Sequence, residues 1–289
     1  MKALAEFVLQ GPIQALVVAS VLGALSQFIL PLALFCGGVI ALCVLSRSSI
    51  YWTIVVVGTV AAVYISSLFA EGRPGLSFPV VLFLIVPVVL SSLILRSTES
   101  QSWSIGFAAV VAASLAIAMR LVTGDVVQWW SDWLEIAVTG VKDAHYQGFE
   151  SGGPLTMMNG LIAMLLGYAT VLSVFIGRWM QALAYNPGGF AKEFYRVRYS
   201  VNTLVALGVV LIVVAVLSVE ASYDLLLIFS MLFFFSGLAV LHSTVERTGK
   251  GNSYVWPIYI MLTIFPPFTV VGIALLGLAD IFFKFRKAV

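Results

Sequence analysis

Long, uninterrupted apolar runs restrict the fold of this sequence more than any other feature. Of its 289 residues, 61% are hydrophobic and only 10% are charged, whereas soluble domains carry about 25% charged residues. So few charges cannot cover a domain in water, but a surface that faces lipid needs none. Because the runs are continuous rather than alternating, they are typical of membrane helices and not of barrel strands. The pattern predicts an all-α integral membrane protein.

The lengths of the apolar runs predict the number of membrane spans, since a helix needs about 20 apolar residues to cross the hydrocarbon core. A final run, 254–283, would be about 45 Å long as one helix, and Pro266 and Pro267 in its middle predict a kink or a break. We therefore expect eight to ten spans, with nine favoured, in one polytopic domain over 1–289. The other predicted spans are 9–26, 28–46, 51–70, 77–95, 103–122, 156–184, 201–219 and 223–243.

The charges of the loops predict an orientation, because cytoplasmic loops are enriched in Lys and Arg. The loop after span 156–184 contains Lys192, Arg196 and Arg198, whereas the loop 123–155 is mainly acidic. We expect the first loop and the N-terminus to face the cytoplasm of a bacterium, with the chain in the inner membrane. The first apolar run is expected to be a retained span rather than a cleaved signal peptide.

The C-terminus conflicts with this orientation. Its basic residues Lys284, Arg286 and Lys287 would lie outside if the last stretch crosses the membrane once. A hairpin at the two prolines would bring them to the cytoplasmic side. The sequence alone leaves both arrangements open.

The acidic loop contains an amphipathic segment at about 124–146, which we expect to form an external helix. Two interpretations fit: the helix lies on the outer membrane interface, where tryptophan is favoured, or it is a lid over an outward-facing cavity. Apolar residues recur in it at helical spacing, namely Val126, Trp130, Trp133, Leu134, Ala137 and Val141, and Trp129 adds to the aromatic cluster.

The first predicted span carries small residues at a spacing of four: Ala15, Ala19 and Gly23. Such a stripe allows another helix to approach closely. The stripe either packs inside the bundle or forms the docking face for a partner protein.

Residues 177–190 contain the strongest local motif. Arg178 and Gln181 share a helix face because they are three residues apart, and the sequence 186–189, Asn-Pro-Gly-Gly, predicts the end of that helix. The segment is either a cytoplasmic helix end with a snorkelling arginine or a site for an anion, a lipid headgroup or a coupling contact. The residues of the motif that we single out are Arg178, Trp179, Gln181, Asn186, Pro187, Gly188 and Gly189.

Few other residues carry chemistry. An acid within a membrane segment is a functional candidate by default, and Asp280 is one, but an ion pair with Lys284 at i+4 is the equal alternative. Cys36 and Cys43 lie seven residues apart in one run, roughly 10 Å along a helix, which is too far for a disulfide. The sequence contains neither a zinc-binding, nucleophile or phosphate-loop motif nor a long basic run. We therefore expect no metal, no cofactor, no nucleic-acid partner and no enzymatic activity.

Residues 177–190 resemble the signature of the YybS-like membrane proteins of bacteria, and so do the opening residues 3–7 and the ending residues 277–280 with Arg286. That family is distantly similar to the substrate-capture (S) subunits of energy-coupling-factor transporters. Those subunits are six-helix proteins that bind vitamins or metal ions and dock on a coupling subunit through an Ala-x-x-x-Ala stripe. The resemblance implies the same use for Ala15 and Ala19, although this chain has more spans.

Three functions follow as hypotheses. The chain is a small-molecule binding or transport component, with an unknown ligand and a membrane partner on its first helix. Alternatively, it is a structural or regulatory membrane protein that assembles with partners and transports nothing. A third hypothesis is an enzyme that acts on a lipid and holds its headgroup with Arg178 and Gln181.

Overall fold

A computed structural model describes residues 1–69, 80–139, 155–249 and 251–286. Every regular element in these ranges is helical, which confirms the expected all-α class. A short 3-10 helix, Asn252–Val255, precedes α12. The α-helices are α1 (Lys2–Val8), α2 (Pro12–Leu25), α3 (Leu32–Ser46), α4 (Ser49–Leu68), α5 (Val80–Thr98), α6 (Gln101–Thr123), α7 (Val126–Thr139), α8 (Leu155–Tyr185), α9 (Gly189–Phe194), α10 (Val201–Leu217), α11 (Val219–Arg247), α12 (Trp256–Ile264) and α13 (Pro266–Phe283).

Six of the described helices are long and apolar enough to cross a membrane: α4, α5, α6, α8, α11 and α13. Four shorter apolar stretches lie at α2, α3, α10 and 253–264. The chain is therefore a helical membrane protein by the length and composition of its helices. The count of nine spans is not fixed by these lengths.

The outer surface of the bundle is apolar, as expected of a surface that faces lipid. Leu121, Val216 and Phe268 are each at least 80% exposed, and α10 buries none of its residues. A soluble protein rarely exposes apolar patches of this extent. The apolar helices thus indicate contact with a lipid bilayer.

Helix boundaries differ from the predicted spans at two places. The first predicted span, 9–26, begins only at Pro12 because α1 is a separate helix that ends before Gly11. The predicted gap between the spans 201–219 and 223–243 is only one residue, Ser218. The Ser218 hydroxyl accepts a hydrogen bond from the backbone N–H of Ala221 (3.2 Å) and so caps α11 directly after α10.

The last apolar stretch forms two helices, as one of the sequence-based alternatives had it. α12 ends at Ile264 and α13 begins at Pro266, with Phe265 outside helical geometry. Proline has no N–H to donate and is compatible with the first turn of a helix. Pro266 and Pro267 therefore start α13 rather than interrupt it.

Contacts between helix ends identify the two ends of the bundle. Arg96 at the end of α5 donates to the carbonyl oxygens of Val44 (2.8 Å) and Arg47 (2.7 Å), and Gln181 in α8 donates to Leu45 (3.1 Å). The ends of α3, α5 and α8 therefore lie together, and we call this the basic end. The opposite end, where α7 joins α6 and α8, is the α7 end.

Helix α8 connects the two halves of the core. On one side, Gly177 lies against Gly38 and Ala41 of α3, and on the other, Gly167 lies against Met231 of α11. A side chain at Gly177 would come within 2.7 Å of the Gly38 oxygen. Small residues thus allow α8 to contact both neighbours closely, as is typical of membrane helices.

Helices α11 and α13 cross at two glycines. A methyl group at Gly237 would lie 1.9 Å from the Ile273 oxygen, and one at Gly277 would lie 1.9 Å from the Phe233 oxygen. The pairing of 237 with 273 and of 277 with 233 makes the two helices antiparallel. This is the closest backbone approach that the glycines of the described chain make.

The small-residue stripe of α2 packs inside the bundle. Ala15 and Ala19 have no exposed surface, Gly23 lies against Val63 of α4, and the Cys36 thiol donates to the Ala19 oxygen (3.3 Å). A partner protein cannot reach the stripe while α2 contacts α3 and α4. The packing therefore favours the internal interpretation of these residues over partner docking, because the chain's own helices occupy the face.

Candidate functional site

The Arg178 motif forms a bonded unit at the basic end. The Arg178 Nε donates to Glu193 Oε2 (2.9 Å), its Nη2 to Glu193 Oε1, and its Nη1 to Gln181 Oε1 (2.9 Å). The expected pairing of Arg178 with Gln181 on one helix face is thus present. Glu193, a partner that the sequence spacing does not indicate, neutralises the arginine because α9 folds back against α8.

The segment 186–189 makes that return possible. α8 ends at Tyr185, and Gly188 adopts a left-handed backbone (φ +85°) that glycine tolerates without strain. The Gly189 N–H donates to the Asn186 oxygen (2.9 Å). The chain therefore reverses within Asn-Pro-Gly-Gly, and α9 lies against α8.

The aromatic residues of this unit separate into inner and outer ones. Phe194 is buried, and its ring contacts Phe175 and His242. Trp179 is 39% exposed. An anion at Arg178 would have to compete with Glu193, because each guanidinium nitrogen already donates within the chain.

Helix α7 lies over the ends of α6 and α8. Its buried residues Val126 and Trp130 pack with Leu155 of α8 and with Met119 of α6. Trp129 and Trp133 are more than one-third exposed and contact Trp130 edge-on. Both the interfacial and the lid interpretation of the three tryptophans are compatible with this packing. The predicted extension to residue 146, with Val141, and the side chain of Ala137 lie outside the described residues.

Asp280 is buried, and its partner is Arg286 rather than Lys284. The Arg286 Nη2 and Nε donate to Asp280 Oδ2 (2.6 and 3.2 Å), and its Nη1 donates to the oxygens of Tyr195 and Val197 (2.8 Å each). The expected pair with Lys284 is wrong because Lys284 ends α13 in a left-handed conformation (φ +50°). The chain then turns, and Arg286 returns to the bundle.

Arg286 also connects the described C-terminal residues to the segment between α9 and α10. Arg286 contacts the 195–197 segment, whose neighbours Arg198 and Tyr199 hydrogen-bond to Ser102 near the start of α6. Burial raises the pKa of Tyr199, so its hydroxyl remains a donor. The described C-terminal residues therefore lie beside the segment that connects α9 to α10.

A third ionic cluster, at the α7 end, was not identified from the sequence. The Asp224 Oδ2 accepts from Arg120 Nε (2.6 Å) and from Asn159 Nδ2 (2.6 Å), and Asn159 also donates to the Ala116 oxygen (3.1 Å). The cluster joins α6, α8 and α11. The sequence does contain one signal for this cluster, because Asp224 is an acid five residues after the start of an apolar helix. Its partner Arg120, however, lies 104 residues away in the chain.

The Asp224 carboxylate has an unusual environment within this cluster. Asp224 is only 1% exposed, and its Oδ1 has no hydrogen-bond partner among the described residues. The absence of a side chain at Gly160 allows α8 to approach, since a methyl group there would lie 2.8 Å from that oxygen. A buried carboxylate oxygen without a partner is costly and can accept a hydrogen bond from a bound molecule.

The part of the chain that the structure describes contains no cluster of typical metal ligands. No three His, Cys, Asp or Glu side chains there lie close enough to hold an ion. His242, which the sequence presents as an isolated histidine, contacts the Tyr259 hydroxyl through Nε2 (3.1 Å) and the Leu238 oxygen through Nδ1 (2.9 Å).

The chain matches no protein-family model, no curated protein and no solved structure.

Proposed function

We propose that the chain is a polytopic protein of a bacterial inner membrane that binds a small solute at the Arg120–Asn159–Asp224 cluster, as a binding or transport component. The observation that carries this proposal is the buried Asp224 Oδ1, which lacks a partner. Ionisable groups within membrane helices are costly and usually functional. The resemblance to the YybS-like family and to S subunits points in the same direction.

The position of the cluster suits binding from one side of the membrane. Arg120 is three residues from the end of α6 and Asp224 is five residues from the start of α11. At 1.5 Å per residue, both lie within about 8 Å of the helix ends. A solute from the α7 end therefore reaches the cluster without crossing the bilayer.

Helix α7 is the proposed lid. Met119 and Met158, which pack against its buried residues, directly precede Arg120 and Asn159 in the chain. A displacement of α7 would therefore uncover the residues next to the cluster. The partly exposed Trp129 and Trp133 would stay at the membrane interface, which tryptophan favours.

The proposed orientation places the basic end in the cytoplasm. Arg47, Arg96 and Arg178 lie at or near that end, in accord with the enrichment of cytoplasmic loops in basic residues. Because Arg47 donates to the Leu9 oxygen, α1 lies at this end, so the N-terminus is cytoplasmic and α7 faces outward. The solute would then be captured from outside, without an enzymatic step.

The chemistry of the site limits the solute class. The free carboxylate oxygen is an acceptor only, so its ligand carries a donor such as a hydroxyl or an amine. Arg120 already balances the charge of Asp224, which favours a neutral or singly charged solute over a divalent cation.

Mass spectrometry of solutes released from protein in native-lipid nanodiscs tests this proposal. We expect a solute from the wild-type chain and from Asp132→Asn, which changes an exposed acid of α7. The Asp224→Asn variant keeps the shape of the side chain but loses its charge. It should release at least about tenfold less solute than the wild type, because hydrogen bonds to charged groups contribute about 1.5–3 kcal/mol. Equal amounts from both variants, or none from any form, would refute solute binding here.

A second candidate function is a structural or regulatory membrane protein, and one observation favours it. The same cluster joins three helices, and hydrogen bonds between membrane helices stabilise their packing. In that case Asp224→Asn lowers the melting temperature and leaves the released solutes unchanged.

A further inference from the structure

A cleft near the start of α10 carries two cations that the proposed function does not use. It measures about 340 Å³ and is lined by Arg198, Tyr199, Ser200, Val201, Ile281 and Lys284. Arg198 and Lys284 are exposed, and neither side chain forms an ion pair within the described ranges. The cleft thus brings together two positive charges from segments more than 80 residues apart.

The neighbouring acid does not cancel these charges. Asp280, one turn before Lys284, is bonded to Arg286, so the local balance remains positive. This differs from the Arg178 motif, in which Glu193 neutralises the arginine. Arg198 and Lys284, in contrast, line a cleft together.

The backbone at Lys284 supports a role for its side chain. Lys284 is held at φ +50° and ψ +52° as the C-cap of α13, a conformation in which glycine is the usual residue. A non-glycine residue there carries strain. A lysine at this position gives up some stability and adds a positive charge at the cleft.

The walls of the cleft continue into apolar surface. Val201 begins α10, whose residues Val205, Val209 and Ile212 are 54–67% exposed, and Phe283 next to Lys284 is 73% exposed. Two cationic side chains at the start of a lipid-facing helix are suited to bind an anionic headgroup whose acyl chains lie along that helix. Basic pockets of this kind between membrane helices bind phospholipid headgroups.

We propose that this cleft binds a phosphate-bearing anion, held by Arg198 and Lys284, and that its source is the headgroup of an anionic phospholipid. Arginine matches phosphate oxygens with paired donors, and lysine adds a point charge. The bound lipid would fasten the start of α10 to the end of α13.

The test compares lipid binding to the purified full chain by native mass spectrometry, with phosphatidylglycerol and phosphatidylcholine as probes. We expect the wild type to prefer phosphatidylglycerol. The double variant Arg198→Ala/Lys284→Ala should bind it about thirtyfold more weakly, since each basic residue near the surface contributes about fivefold. Raised salt should reduce the wild-type preference.

Two further variants separate site binding from net charge and from misfolding. Lys192→Ala/Arg196→Ala removes the same charge from exposed positions that do not line the cleft, and should retain the preference. Lys284→Gly relieves the backbone strain, so its melting temperature should not fall, while its binding weakens about fivefold.

Two results would overturn the proposal. One is that both double variants lose phosphatidylglycerol binding equally, or that neither loses it, because the binding would then not depend on the cleft. The other is competition by millimolar inorganic phosphate with no retained phosphatidylglycerol, which would assign the cleft to the free ion rather than to a lipid. Neither result depends on the Asp224 cluster.

Discussion

Buried and half-buried charged residues of the described chain bond to partners on other helices as well as on their own. Helix geometry correctly pairs Arg178 with Gln181, because both lie on one helix. It fails for Asp280, since the left-handed turn at Lys284 brings Arg286 to the carboxylate instead. It gives no signal for Asp224, whose partners come from two other helices.

Removal of Arg286 tests its pairing with Asp280. Arg286→Ala leaves a carboxylate that is 1% exposed without its partner, and we expect a loss of about 3–5 kcal/mol in the free energy of unfolding. The double variant Arg286→Ala/Asp280→Asn should lose less, because no charge remains buried. Lys284→Ala is the control and should change stability by no more than about 0.5 kcal/mol. Denaturant unfolding in detergent measures all three, and a larger effect of Lys284→Ala would contradict the assignment.

The glycines of α13 offer a second comparison at this scale. Gly277→Ala places a methyl group against the Phe233 oxygen, whereas nothing lies within 4 Å of a methyl group at Gly272. Overpacking typically costs about 1–3 kcal/mol, so Gly277→Ala should lower the melting temperature and Gly272→Ala should not. Equal melting temperatures would show that α11 and α13 do not cross at this point.

At the scale of the elements, the sequence predicts where a helix ends better than it predicts what a helix face contacts. Proline geometry alone places the division between α12 and α13 near Pro266. The stripe on α2, in contrast, is equally suitable for an internal helix or for a foreign one. Only the positions of Cys36 and Val63 beside it decide that the bundle itself covers this face.

Enlarging one residue of the α2 stripe tests whether it packs internally. Ala19→Leu inserts volume at a position with no exposed surface and should cost about 1–3 kcal/mol in the isolated protein. Val17→Leu, at a position that is 53% exposed on the same helix, should be nearly neutral. Thermal unfolding in detergent distinguishes them. An unchanged melting temperature for Ala19→Leu would restore the possibility of an external docking face.

At the scale of the whole molecule, the solvent is the property that the sequence predicts most reliably. Apolar runs of this length imply lipid because no aqueous fold of this size could hide them, and six described helices meet the length that a bilayer requires. The shorter helices α2, α3 and α10 are less certain from composition, since their packing and tilt decide whether they cross. The two ends of the bundle follow from contacts, and their sides of the membrane follow from charge.

Labelling with a membrane-impermeant maleimide tests the transmembrane arrangement most directly. Ser97→Cys, exposed at the end of α5, and Glu135→Cys, exposed on α7, mark the two ends, and the native chain is the blank because Cys36 and Cys43 are buried. We expect reagent outside intact bacteria to label only the Glu135→Cys variant, and reagent outside inverted vesicles to label only the Ser97→Cys variant. Labelling of both variants from the same side would contradict the account.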